Sequence, residues 1–110
     1  MTWIEAQQFC SQNNGSYLVE IFSQDHQDFL LVQLYSLKIS SWWIGLTDIG
    51  NIASNNWFWA HSLRNASFTS WGTDTHNHEQ NFAFMDCYAE FNWYPITGRT
   101  TTSPICQFFP

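Results

Sequence analysis

Hydrophobic residues near the start of the chain recur at helical spacing. Trp3, Ala6 and Phe9 lie on one face leading to Cys10, and Thr2 followed by Glu5 makes a capping-box pattern that starts a helix there. Asn13-Asn14-Gly15 supplies a stop, and Tyr17-Leu18-Val19 reads as a short extended segment. Ser23 then caps a second helix from about Gln24 to Leu37, with Asp25 and Asp28 near the positive end of its dipole. Phe29, Leu30, Val32, Leu34 and Leu37 give this helix a broad apolar face, which requires a large apolar partner.

The pattern changes at Trp42. Trp42-Trp43-Ile44-Gly45-Leu46 is an aromatic and aliphatic run that reads as a buried strand bounded by Asp48 and Gly50, and Trp57-Phe58-Trp59 offers a second. From Ala60 to Glu79 a polar stretch shows neither periodicity, and a loop of that length is usually functional or irregularly packed. Strand character returns from Phe82 to Phe91 through Phe84, Cys87, Tyr88 and Phe91. Trp93-Tyr94 follow, then a turn near Pro95 to Gly98 and a last strand around Ile105 to Phe108. Two helices followed by strands predict an α+β architecture, and without repeat, low-complexity tract or linker residues 1–110 read as a single domain.

Composition narrows the possible partners. Charged residues make up 11% of the chain and aromatics 19%, the profile of a packed globule rather than a disordered tail. The net charge is −6, and the only basic side chains, Lys38, Arg64 and Arg99, form no patch able to neutralise several phosphates, which argues against nucleic acid. No apolar run approaches the roughly 18 to 20 residues a membrane span needs, and Gln33 and Ser36 interrupt the stretch from Phe29 to Leu37. Cysteines stand at Cys10, Cys87 and Cys106, without the close spacing of a zinc or redox pair, and their odd number leaves one thiol over. Asn14-Gly15-Ser16 and Asn65-Ala66-Ser67 match the N-glycosylation pattern of secreted proteins. Met1-Thr2-Trp3 runs straight into helical patterning, so a secreted protein of this sequence would lack its leader.

These residues resemble the C-type-lectin-like domain over almost the whole chain. The resemblance rests on Thr2-Trp3-x-Glu5-Ala6-x-x-Phe9-Cys10, Trp43-Ile44-Gly45-Leu46, Trp57-x-Trp59, Phe68-Thr69-x-Trp71, Met85-Asp86-Cys87 in the place of Glu-Asp-Cys, and Pro104-Ile105-Cys106-Gln107-Phe108. It implies two helices flanking small antiparallel sheets with a long irregular loop. It also implies a first strand, ahead of the first helix, that is missing here; the domain is expected to be truncated at its N-terminus, or to leave the strand near Phe108 at an exposed sheet edge. A disulfide between Cys10 and Cys106 is implied as well, stabilising by about 4 to 5 kcal/mol because it closes nearly the whole chain. Cys87 lacks its usual partner, since the matching place falls near Gly98. A buried thiol packed as a small hydrophobe and an intermolecular disulfide are the two readings left for it.

In this family a calcium ion and a sugar share one site, built from a Glu-Pro-Asn or Gln-Pro-Asp triplet, an acidic residue before the third-region cysteine, and a Trp-Asn-Asp triplet. Calcium takes about 6 to 8 oxygen ligands, so oxygen count decides function. Here the first triplet becomes Glu79-Gln80-Asn81, without the proline whose cis bond aims the side chains; Met85 replaces the acid, and Trp93-Tyr94-Pro95 replaces Trp-Asn-Asp. Glu79, Asn81 and Asp86 remain as residual calcium ligands, too few for a cage, so no cofactor is expected. Glu79 and Asn81 stand either as ligand contacts or as a solvated loop tip. Trp71, Trp93 and Tyr94 offer rings on which a sugar could stack without calcium, or aromatic packing. His76 and His78, beside Glu79, have the spacing of a zinc pair in extended chain, the basis of an alternative hydrolase reading, yet no nucleophile and base accompany them. The expected function is extracellular recognition of a glycan or protein surface, with Glu79, Asn81, Trp93 and Tyr94 as contact residues and no enzymatic activity.

Overall fold

A computed structural model describes residues 1–13, 15–49, 56–72, 80–88 and 90–108. Helix α1, Trp3–Gln12, begins where the capping box predicts: the Thr2 hydroxyl accepts from the Glu5 N–H at 3.2 Å, and the Glu5 carboxylate accepts from the Thr2 N–H at 2.8 Å. Those bonds hold the Glu5 carboxyl below its ordinary pKa. The buried face of α1 is Trp3, Ala6 and Cys10; Phe9, expected on that face, is exposed.

Strand β1, Tyr17–Leu18, leads to α2, Gln24–Tyr35, whose N-cap is Ser23. The broad apolar face expected of α2 is narrower in fact. Leu30, Leu34 and the polar Gln27 are buried, whereas Phe29, Val32 and Leu37 are 60%, 67% and 54% exposed. Leu37 lies beyond the end of the helix.

The sheet is built around β2, Ser41–Thr47. Its neighbours are β3, Phe58–Trp59; β4, Phe82–Asp86; and the short parallel strand β6, Ser103–Pro104, while β5, Asn92–Ile96, pairs antiparallel with β4 at the outer edge. Successive residues of β2 face opposite sides, as a pleated strand requires. Trp42, Ile44 and Leu46 enter a core with Leu30, Leu34, Trp59, Met85, Phe91 and Trp93, and Trp43 enters another with Trp3, Ala6, Cys10, Leu18 and Phe82. Gly45 is required by close approach: a Cβ there would lie 2.8 Å from the Leu18 carbonyl oxygen.

Strand β7, Cys106–Gln107, pairs with β1, and Cys10 is bonded to Cys106 with their Cα atoms 5.4 Å apart, the pairing implied by the resemblance. The last strand is thus shorter than expected. Pro95 also differs from expectation. It lies within β5, opposite Ala83, rather than in a turn; β5 is an edge strand, where a missing N–H costs little. The stretch from Phe82 to Phe91, which reads as one strand, is instead β4 and a reversal, with Asp86 opposite Asn92 and left-handed φ values of 59° and 61° at Glu90 and Phe91.

Candidate functional site

The β4–β5 pair decides which expected site residues can act together. Asn81 precedes β4 and Asp86 ends it, so at roughly 3.3 Å per residue they stand about 16 Å apart and cannot ligate one ion. Asp86 is engaged locally: its carboxylate accepts from the Tyr88 N–H at 2.9 Å and its carbonyl from the Phe91 N–H at 2.9 Å. The Asn81 carbonyl accepts from the Thr47 hydroxyl at 2.7 Å and the Asp48 N–H at 3.2 Å. Its side-chain amide oxygen is buried, with no donor among the described residues. Of the calcium set Glu79, Asn81 and Asp86, two members thus lie at opposite ends of a strand. Glu79, with His76 and His78, lies outside the described residues. Among the described residues no group of three or more His, Cys, Asp or Glu side chains converges.

Trp93, expected as a ligand contact, stands in the core. It is 0% exposed, its indole N–H donates to the Gln27 side-chain oxygen at 3.1 Å, and Trp59, Phe68 and Trp71 pack edge-on around it with centroids 5.6, 5.8 and 6.1 Å away. Its neighbour Tyr94 points to the other face of β5, half-buried against Phe84 and tucked under the backbone of Gly72. Trp93 and Tyr94 therefore cannot grip one sugar ring together.

Cys87 is not aligned with Gly98. Gly98 packs on the Phe82 ring, at one end of β4, while Cys87 follows the other end and its N–H donates to the Ser40 carbonyl at 2.9 Å. Opposite the last residue of β5 stands Phe82, in register with Ile96. The half-buried Cys87 thiol forms part of a cavity of about 430 Å³ with Leu34, Tyr35, Ile39, Tyr88 and Phe91. Burial raises its pKa; the nearby Trp42 indole opposes that shift and the Asp86 charge adds to it.

Two further concavities were not anticipated from the sequence. One, of about 270 Å³, lies between α1 and the turn after β3 and includes Gln7, Ser11, Tyr17 and His61, the last two stacked with centroids 3.9 Å apart. The turn that carries His61 is held by Glu20, a buried carboxylate that accepts from the backbone N–H groups of His61 at 2.8 Å and Ser62 at 3.1 Å. The other, of about 300 Å³, is formed by Asn56, Trp57, Asn65, Ala66, Thr69 and Trp71, with the two indoles edge-on at 4.9 Å. The aromatic spacing around Trp57 and Trp71 was visible in the sequence, but which face each ring presents depends on long-range pairing.

Comparison with known proteins bears on these arrangements. The family model described as "Lectin C-type domain" matches residues 1–108. The chain is 34% identical over 110 residues to snaclec crotocetin of Crotalus durissus terrificus, covering 98% of this chain and 68% of the relative. It is 30% identical to a second snaclec, from Philodryas olfersii, covering 96% and 65%. It thus spans about two thirds of the length of these curated relatives. Among solved structures, the human scavenger receptor C-type lectin carbohydrate-recognition domain superposes with a TM-score of 0.79 at 23% identity, covering 96% of this chain and 81% of that one.

Proposed function

The chain belongs to the C-type lectin domain family, and on that premise we propose that it is an extracellular recognition module that binds a glycan or protein surface without calcium and catalyses no reaction. The observation that carries this reading is the dispersal of the oxygen donors. Asn81 and Asp86 stand at opposite ends of β4, and the intervening Met85 is fully buried, so the expected oxygen donors among the described residues form no compact cage for a hard cation. The disulfide between Cys10 and Cys106 fits an oxidising compartment. No helix among the described residues is long and apolar enough to cross a membrane. Carbohydrate is one candidate ligand class because a structural neighbour is a carbohydrate-recognition domain; fold alone leaves protein surfaces equally open. Glu79, Asn81 and Tyr94 are the proposed contacts.

The test is binding to arrayed glycans and candidate proteins in calcium and in chelator, with thermal unfolding under both conditions. A ligand that binds only the folded state raises its apparent stability by mass action. Equal binding and an unchanged unfolding temperature in chelator are expected. A calcium-dependent rise in either would overturn the metal-free reading, and a zinc-only rise would direct attention to His76 and His78.

A further inference from the structure

The groove between Trp57 and Trp71 contains, at its edge, the asparagine of an N-glycosylation pattern. Asn65 is exposed, as is Ser67, which completes Asn65-Ala66-Ser67. The backbone fixes the asparagine beside the groove: Asn65 bridges Phe58, the Trp59 N–H donates to the Arg64 carbonyl at 2.9 Å, and the Ala66 N–H donates to the Trp57 carbonyl at 3.0 Å. The cavity of about 300 Å³ combines two indoles with the polar side chains of Asn56 and Thr69. Its volume is at the lower end of the roughly 300 to 1,000 Å³ found for small-ligand pockets, suited to one sugar ring rather than a chain. A pyranose has an apolar C–H face for an aromatic ring and hydroxyls for amides and alcohols, which matches this lining.

We propose that Asn65 carries an N-linked glycan whose first N-acetylglucosamine folds back into the Trp57–Trp71 groove, so that the chain's own sugar fills this aromatic concavity. The inference rests on the extracellular placement proposed above. The transfer uses a lipid pyrophosphate-linked oligosaccharide as donor. The Asn65 side-chain nitrogen bonds to the anomeric carbon, the carbon–oxygen bond to the pyrophosphate breaks, the amide releases one proton, and the lipid pyrophosphate leaves with the electron pair. The other acceptor pattern is different after folding, because Ser16 is buried and its hydroxyl donates to the Cys10 carbonyl.

The experiment is secretion of the chain from a eukaryotic cell line behind a cleavable leader, followed by intact mass and trimming of the glycan to a single N-acetylglucosamine. Occupancy is expected at Asn65, lost in Asn65→Gln and in Ser67→Ala, the latter leaving the groove's asparagine in place. In the trimmed protein the acetyl methyl proton resonance is expected upfield of its position in free N-acetylglucosamine, with cross-relaxation to an indole, and Trp71→Ala should return it toward the free value. A secreted chain with the disulfide closed and Asn65 unmodified would overturn the inference while leaving the recognition reading intact. An attached sugar whose methyl resonance is unshifted and insensitive to Trp71→Ala would overturn it as well. Failure of the recognition reading shows separately, as calcium-dependent binding or stability in the unglycosylated Ser67→Ala protein.

Discussion

Gln27 shows how one polar side chain can anchor a helix. Its amide donates to the Phe91 carbonyl at 2.8 Å and accepts from the Trp93 indole N–H at 3.1 Å, joining α2 to the start of β5. Gln27→Leu keeps the volume but strands a buried carbonyl and a buried indole N–H. At about 1 to 3 kcal/mol for an unsatisfied buried group, a loss of about 2 to 4 kcal/mol is expected in urea unfolding. One residue earlier, burial holds the half-buried His26 imidazole below its ordinary pKa. The unfolded chain therefore binds the proton more readily than the folded one. The stability that His26 contributes is complete above about pH 6.5 and is lost as pH falls through the lowered folded value. His26→Gln should flatten that acid-side decline, which unfolding curves between about pH 7 and 5 would show.

At the scale of elements, local signals were the legible ones. The capping box starts α1 at the expected residue, and the apolar run Trp42-Trp43-Ile44-Gly45-Leu46 correctly marks β2 as a buried strand, whose alternate residues enter the two cores. The register of β4 on β5 was not legible, because aromatic residues recur from Phe82 to Tyr94 on both faces and the period-2 signal loses its phase. Cys87 reads as part of that strand, although the structure sets it beside the reversal. The breadth of α2's apolar face was overestimated for a related reason: an apolar pattern gives no weight to Gln27, which takes a core position. The candidate site suffered most, since whether Asn81, Asp86, Trp93 and Tyr94 converge is decided by strand length and strand face rather than by residue type. The register makes its own prediction. Phe82→Cys combined with Ile96→Cys should form a second disulfide spontaneously, detectable by mass after alkylation. Little net change in unfolding temperature is expected, because closing this short loop contributes about 3 kcal/mol and losing Phe82's contact with Trp3 and Gly98 costs a similar amount. Two alkylated thiols at these positions in the folded protein would refute the pairing.

For the whole molecule, stability depends on the covalent closure between Cys10 and Cys106. Their separation of 96 residues makes reduction cost about 4 to 5 kcal/mol, a large share of the roughly 5 to 15 kcal/mol that holds a domain of ordinary stability together. Reduction is therefore expected to lower the unfolding midpoint strongly in a denaturant titration, and a midpoint unmoved by reductant would show that strand pairing and the two cores suffice. The same architecture leaves Val32, Tyr35 and Tyr88 on the surface at 67%, 76% and 85% exposure, so a partially unfolded form would extend apolar surface that is already present.

The sulfur bridge also fixes how the protein answers a mechanical load. Tension applied across the bridge, from the residues before Cys10 to those after Cys106, passes through α1 and crosses from Cys10 to Cys106, so the chain between the two cysteines, with β2 to β5, is not loaded along its length. Under such a pull the segment between Cys10 and Cys106 would keep its shape where an unbridged domain unravels. Reduction would release the 96-residue separation as slack, turning a rigid link into an extensible one.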